Sequence, residues 1–268
     1  MEYELGFIGC GNMGSAIAIA ANKKLSGEHI ILSNRTVSKA EKLAEKIGAK
    51  TGSNIEVAEK SHYIFLCVKP QMMREVLSSL SPVLKARDDR FILVTMAAGL
   101  TISSIKEFSG GDYPVIRIMP NTPSAIGEGV IQYACDNKIT DEEKSYFISL
   151  MSSAGLIDEL PENLIDAGSA VSGCGPAFVD IFIEALADGG VQIGLPRSKA
   201  IMYAAQMVSG SAKLILESGK HPAQLKDEVC SPGGSTIMGV HALESGGFRS
   251  SVMNAVADAF EKNRELGK

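Results

Sequence analysis

A glycine triplet near the start constrains this chain more than any other feature. Gly9, Gly11 and Gly14, with Cys10, Asn12 and Met13 between them, have the spacing GxGxxG. An apolar run over residues 5–8 ends at Ile8 directly before the triplet, and an alanine-rich helical stretch, 15–24, follows it. In that setting each glycine has a physical role. The first permits a tight turn, the second lets a pyrophosphate approach the backbone, and the third allows close helix–strand packing. The N-terminus of the helix then attracts the negative charge. A structural turn would account for the spacing alone, but not for its place at the head of a βαβ unit. Residues 8–14 are therefore expected to bind a dinucleotide.

The pattern continues over the first 160 or so residues. Strands are expected at 5–8, 30–33, 63–68, 91–95, 115–119, 130–134 and 156–160. Helices are expected at 15–24, 38–47, 72–84, 102–107 and 141–153. Strands separated by helices of this length imply a parallel sheet with right-handed crossovers. After Pro161 no strand pattern recurs. Residues 175–194, a stretch opened by Pro196, and 248–266 carry apolar residues at helical spacing. The fold class expected is α/β, an N-terminal doubly wound Rossmann domain (1–161) followed by an all-α domain (162–268).

The end of the second strand bears on which dinucleotide binds. An NAD site usually places Asp or Glu there to hold the ribose 2'-hydroxyl. This chain reads Ser33, Asn34, Arg35, Thr36 instead. An acid would repel a 2'-phosphate, whereas a guanidinium, an amide and hydroxyls bind one. NADP is thus the expected cofactor, with NADPH favoured over NADH, although an exposed turn with an incidental arginine would look the same. Cys67, Val68, Lys69 and Pro70, and then Ala97, Ala98 and Gly99, follow the next two strands, where doubly wound sheets place ligands. Asn54, in a preceding crossover, is a further candidate.

Composition narrows the partner. A formal charge of −5 and the absence of tryptophan give no electrostatic or stacking basis for nucleic acid. The apolar runs read as too short to span a bilayer, and the acidic start lacks the basic and apolar segments of a secretory signal. Cys10, Cys67, Cys135, Cys174 and Cys230 form no CxxC pair, and the four histidines show no ligand spacing beside them. No metal is expected. Free thiols in a reducing cytoplasm are the plain reading.

The C-terminal half carries a resemblance. Residues 221–246 read HPAQLKDEVCSPGGSTIMGVHALESG, and the chain also contains RIMPNTP (117–123), SGCGPAF (172–178), VKPQ (68–71) and GGFRS (246–250). These resemble the pyrroline-5-carboxylate reductases, over essentially the whole chain. The resemblance implies NAD(P)H-dependent reduction of 1-pyrroline-5-carboxylate to proline. Ser231, Gly233, Gly234, Ser235 and Thr236 would then hold the substrate carboxylate at a helix start, expected at Ile237. The resemblance places Thr236, and second Ser231, at the reacting nitrogen. A capping turn, with Ser235 or Thr236 as N-cap, is the plainer reading of the same residues. The resemblance also implies interleaved C-terminal domains in a homodimer, assembled in some members into larger rings such as decamers. Val179 and Ile183 broaden the apolar stripe of the 175–194 helix in keeping with that.

Other readings compete. A β-hydroxyacid dehydrogenase would carry a lysine and an asparagine across 173–194, and this chain has neither. A non-catalytic NADPH-sensing module would have no use for a second, carboxylate-sized site. An imine reductase for a six-membered cyclic imino acid stays open, since one methylene changes specificity by only about 1–3 kcal/mol.

Overall fold

The computed structural model describes residues 2–266. Its first part alternates strands and helices: β1 (Tyr3–Ile8), α1 (Asn12–Asn22), β2 (Ile30–Ser33), α2 (Val37–Ile47), β3 (Lys50–Thr51), α3 (Asn54–Lys60) and β4 (Ser61–Leu66) come first. Then follow α4 (Pro70–Ala86), β5 (Ile92–Thr95), α5 (Ile102–Ser109), β6 (Val115–Pro120), β7 (Gly129–Cys135), α6 (Asp141–Met151) and β8 (Gly155–Glu159). The strands form one sheet in the order β3-β2-β1-β4-β5-β6-β7-β8. Strand order reverses between β1 and β4, and the loops leaving those two strands flank a crevice of the kind doubly wound sheets use for ligands.

The sheet departs from an all-parallel one at a single pairing. β6 and β7 run antiparallel, with Ile118 opposite Tyr133. The link between them holds only a short 3₁₀ turn (Thr122–Ile126), and a parallel return needs a longer crossover. Two elements escaped the sequence reading, the two-residue β3 and the seven-residue α3. The second has a legible signal, a capping box in which Ser53 accepts from Glu56 N–H and Glu56 accepts from Ser53 N–H. The third strand lies at Ser61–Leu66 rather than 63–68. Cys67 and Val68 extend the apolar run but leave the sheet, because Pro70 opens α4 and Lys69 before it is held extended.

Both sheet faces are covered, so the central strands are apolar throughout rather than alternating. Phe7 and Phe65 stack at 4.5 Å on the face covered by α1, α2 and α6. Met73, Leu77, Leu80 and Leu84 of α4 pack on the other, against Ile64, Leu66 and Leu93.

After β8 the described residues form only helices: α7 (Ile165–Ser172), α8 (Gly175–Gln192), α9 (Arg197–Ser218), α10 (Pro222–Val229), α11 (Ser235–Ser245) and α12 (Phe248–Leu266). The sheet, α7 and the end of α12 from Ala259 belong to one compact unit, and Gly175–Asp258 forms a second. The second unit has almost no interior of its own. Its buried apolar residues are Ala187, Ala200 and Ala204. A Cβ on Gly190 would lie 3.1 Å from that of Ala200, so small residues let α8 and α9 approach closely. Large side chains stay outside, among them Ile181 (65% exposed), Met238 (65%) and Met253 (71%).

One expectation needs correcting here. The helical run 162–192 is long enough to cross a bilayer and holds an 18-residue stretch apolar enough to do so, with a mean hydropathy of 1.5. Its apolarity was overlooked because the glycines and alanines around the larger residues hide it. The run is broken by a turn at Gly173 and Cys174, and α8 carries Asp180, Glu184 and Asp188 one turn apart on one face. Carboxylates so spaced are costly in hydrocarbon and natural at a protein surface.

The sheet is tied to α7 and to the end of α12 by a buried cation. Arg117 on β6, 1% exposed, places Nη2 2.6 Å from Asp166 Oδ1, with Glu162 3.7 Å from Nη1. Glu162 also accepts from Ile102 N–H at 2.6 Å, and Asn263 Nδ2 donates to the Asp166 carbonyl at 3.3 Å. Removing one member of a buried pair strands the other. Arg117→Ala is therefore expected to lower unfolding free energy by about 3 kcal/mol in a urea titration, the low end of that range because Asp166 is partly solvated. A change under about 1 kcal/mol would mean the network is dispensable.

Candidate functional site

The nucleotide cleft lies at the carboxyl ends of β1, β2 and β4. Gly9 has φ +107°, and a Cβ there would meet the Cys67 carbonyl oxygen at 2.7 Å. A Cβ on Gly14 would lie 2.2 Å from the Gly9 carbonyl oxygen and 2.9 Å from Cys67 Cβ. These two glycines are required by the protein's own packing. Gly11 is different, since a Cβ there would meet nothing within 4 Å. It is the N-cap of α1, no side chain caps that helix, and the first turn bears no acid. The helix start is therefore an open anion site with bare backbone in front of it, as a pyrophosphate requires.

A cleft of about 700 Å³ runs from this point, lined by Ile8, Gly9, Gly11, Ser33, Asn34, Arg35, Asn54, Cys67, Val68 and Lys69. All of these were expected from the sequence. Thr36, named with Arg35 in the turn after β2, lines it too, and Lys39, with Gln71, Met72, Glu75, Val76 and Ser79 from α4, lines it without having been assigned. Lys39 follows Arg35 by one helical turn, a spacing that could have drawn attention to it. The remaining expected residues lie outside the wall. Cys10 and Gly14 are buried behind it, Asn12 and Met13 form the open start of α1, and Pro70 opens α4. Ala97, Ala98 and Gly99 form a turn at the end of β5, with Gly99 at φ +76° and Leu100 N–H donating to the Ala97 carbonyl.

Hydrogen bonds knit the cleft. Gly9 N–H donates to the Ser33 carbonyl and Cys67 N–H to that of Ile8, each at 2.8 Å. Ser33 Oγ donates to Asn54 Oδ1 at 2.7 Å, so Asn54, the first residue of α3, braces the end of β2. Arg35, Thr36 and Lys39 are exposed. Burial pushes the Cys10 thiol up to about 11 and that of Cys67 well above its usual value, so both are neutral. Among the described residues no cluster of His, Cys, Asp or Glu is placed to hold a metal.

The second element is in the helical unit. Ser231, Pro232, Gly233 and Gly234 form a turn closed by Gly234 N–H donating to the Ser231 carbonyl at 3.0 Å, with Gly233 at φ +70°. Proline then glycine at the two central positions suits this type II geometry. α11 starts at Ser235, two residues before the expected Ile237, with Gly234 as N-cap and no side-chain cap. Ser235 and Thr236 are thus the first two helical residues, not caps. Because glycine supplies no capping oxygen, the first-turn N–H groups stay free beside the exposed hydroxyls of Ser231, Ser235 and Thr236.

Comparison with known proteins covers the regions that hold both elements. A family model described as pyrroline-5-carboxylate reductase dimerisation matches residues 162–266, and one described as NADP oxidoreductase coenzyme F420-dependent matches 4–99. The chain is 42% identical over 268 residues to pyrroline-5-carboxylate reductase 3 of Danio rerio, covering 99% of this chain and 92% of that one. It is 40% identical to pyrroline-5-carboxylate reductase of Escherichia coli, with both chains fully covered. This chain belongs to the pyrroline-5-carboxylate reductase family. A crystal structure of the Plasmodium falciparum pyrroline carboxylate reductase with NADP bound superposes with a TM-score of 0.89 at 34% identity, over 100% of both chains. In this reductase fold the cleft's glycines divide into two physical kinds, and substitution separates them. Gly11→Ala should leave thermal unfolding within about 2 °C of wild type yet weaken NADPH at least about tenfold, because only a ligand meets the new methyl. Gly14→Ala should lower both, since the methyl collides with the Gly9 backbone. A Gly11→Ala protein that binds NADPH normally would place the pyrophosphate elsewhere.

Proposed function

We propose that this chain reduces the C=N bond of 1-pyrroline-5-carboxylate with NADPH, giving L-proline. The observation that carries this reading is the uncapped start of α11 behind the 231–234 turn, in a chain that also has a dinucleotide cleft. Free N–H groups at a helix start suit a carboxylate, and the substrate has one. Gly233, Gly234 and Ser235 offer backbone to it. Thr236 and Ser231 hold hydroxyls where the ring nitrogen would lie, so a hydrogen bond can orient the iminium and then the product amine. When bound, the nicotinamide supplies the hydride, and the protonated C=N carbon accepts it. The protein's part is orientation and exclusion of water.

The cofactor reading rests on the end of β2. No carboxylate stands there, and the exposed Arg35, Thr36 and Lys39 line the cleft instead. NADPH is accordingly the favoured reductant. We assign the nucleotide domain to 1–161 and the substrate-binding and dimerisation domain to 162–268. The free cysteines fit a cytoplasmic enzyme. Two experiments test this reading. The protein should oxidise NADPH when the cyclic imino acid is added. Thr236→Ala should lower kcat at least about tenfold with NADPH affinity unchanged, and unchanged kinetics would reduce Thr236 to a first-turn helix residue.

The helical unit requires a partner. It exposes Ile181, Ile193, Leu216, Met238 and Met253, an apolar surface that marks an interface. The partner is a second copy, giving a homodimer, with dimers free to assemble further, as in a decamer. Sedimentation over a concentration series, with activity read in parallel, should show activity and dimer lost together. A fully active monomer at nanomolar concentration would falsify the shared-domain reading.

A further inference from the structure

We propose that Asn34 is a strut that positions the glycine loop and the phosphate-reading turn relative to each other, and that it is not itself a ligand of the 2'-phosphate. The inference rests on reading the cleft as an NADP site. Asn34 is the first residue beyond β2, half-buried between two loops. Its Oδ1 accepts from Cys10 N–H at 2.9 Å, and its Nδ2 donates to the Thr36 carbonyl at 2.9 Å. The orientation of the amide is fixed by its partners, since an N–H needs the oxygen and a carbonyl needs the nitrogen. One planar group therefore joins the glycine loop, through Cys10, to the turn that carries Arg35.

Two consequences follow for the cofactor. The Cys10 N–H is consumed within the protein, so pyrophosphate must be met from Gly11 onward, at the uncapped start of α1. Arg35 stands between the residue that makes both bonds and the residue that accepts one. Its backbone is pinned while its side chain stays exposed in the cleft. Asparagine alone fits this position. Aspartate could accept from Cys10 but could not donate to Thr36, and it would set a negative charge where a 2'-phosphate binds. Alanine could do neither.

The geometry separates Asn34 from Arg35 by cofactor. Both NADPH and NADH need the glycine loop, and only NADPH presents a 2'-phosphate. Wild type, N34A, N34D and R35A are titrated with each cofactor by reduced-nicotinamide fluorescence, with thermal unfolding of each protein measured without cofactor. N34A loses both bonds, and the loss of the one to Cys10, which holds the glycine loop, should weaken both cofactors by a similar factor, about three- to tenfold. N34D keeps the Cys10 acceptor, so NADH affinity should return to within about twofold of wild type while NADPH stays weak. R35A should weaken NADPH about 10- to 150-fold more than NADH. An N34A loss confined to NADPH, no N34A loss at all, or N34D as poor for NADH as N34A would each overturn the strut. R35A weakening the two equally would instead remove the 2'-phosphate reading, while the NADH titrations still decide the role of Asn34. Should N34A fail to fold, N34L, close to asparagine in size and able to make neither bond, takes its place with the same expected and overturning outcomes.

Discussion

The nucleotide half depends on how closely α1 approaches the strands beneath it. With only hydrogen at Gly9 and Gly14, the first turn of the helix rests against the carbonyl of one strand end and the side chain of Cys67 beyond the other. A single methyl at Gly14 would need a separation of 2.2 Å from backbone, which no rotamer change relieves. That contact sets where the helix begins, and so where its unpaired N–H groups point. It also lets Ala16, Ile17, Ala18, Ala20 and Ala21 bury fully against the sheet, which holds the helix in place. The neighbouring polar links, Gly9 to Ser33 and Cys10 to Asn34, are possible only because the loop is drawn this far in.

The helical half obeys the opposite rule. Its second unit buries three alanines as its apolar interior, and its larger apolar side chains face outward. Alanine contacts bring α8 and α9 together but remove little area from water, so this unit has little to offset the entropy of ordering some eighty residues. The area that would stabilise it is the area still exposed. That exposed area is of the kind a second copy would cover, in keeping with the dimerisation family the region matches.

The sequence made the first half legible because local chemistry decides it. The glycine spacing, the switch from short apolar runs to stretches with helical spacing, and the missing acid after Ser33 are all read within a few residues. What escaped is set by distant contacts. Lys39, Met72 and Glu75 line the cleft because α2 and α4 are brought to the same crevice, a fact of topology rather than of motif. The strand at 130–134 is legible but the antiparallel direction of β7 is not, because its own pattern does not encode direction; the short link before it does. Thr236 and its neighbours were located by resemblance, and the structure adds a feature no motif states, a helix start left uncapped by glycine. The polarity of Asn34 was readable, but its use within the protein was not, since Cys10 lies 24 residues away.

The charge layout of the cleft explains why so little acid–base machinery accompanies it. Cations gather at one end, where Arg35 and Lys39 are exposed, and the uncapped helix start lies beside the glycine loop. The cleft also carries Lys69 and Glu75, and the turn after β5 holds the small, uncharged Ala97, Ala98 and Gly99. The two thiols of the glycine-loop region, Cys10 and Cys67, are kept neutral by burial, so they add neither a nucleophile nor a negative charge facing the phosphates. The cations at Arg35 and Lys39 suit the anionic half of a dinucleotide, and the turn after β5 carries no titrating group. Hydride transfer to an iminium gains from that arrangement, because the substrate brings its own positive charge to the reaction. A cation or a titrating acid fixed at that end would compete with the substrate nitrogen rather than assist it.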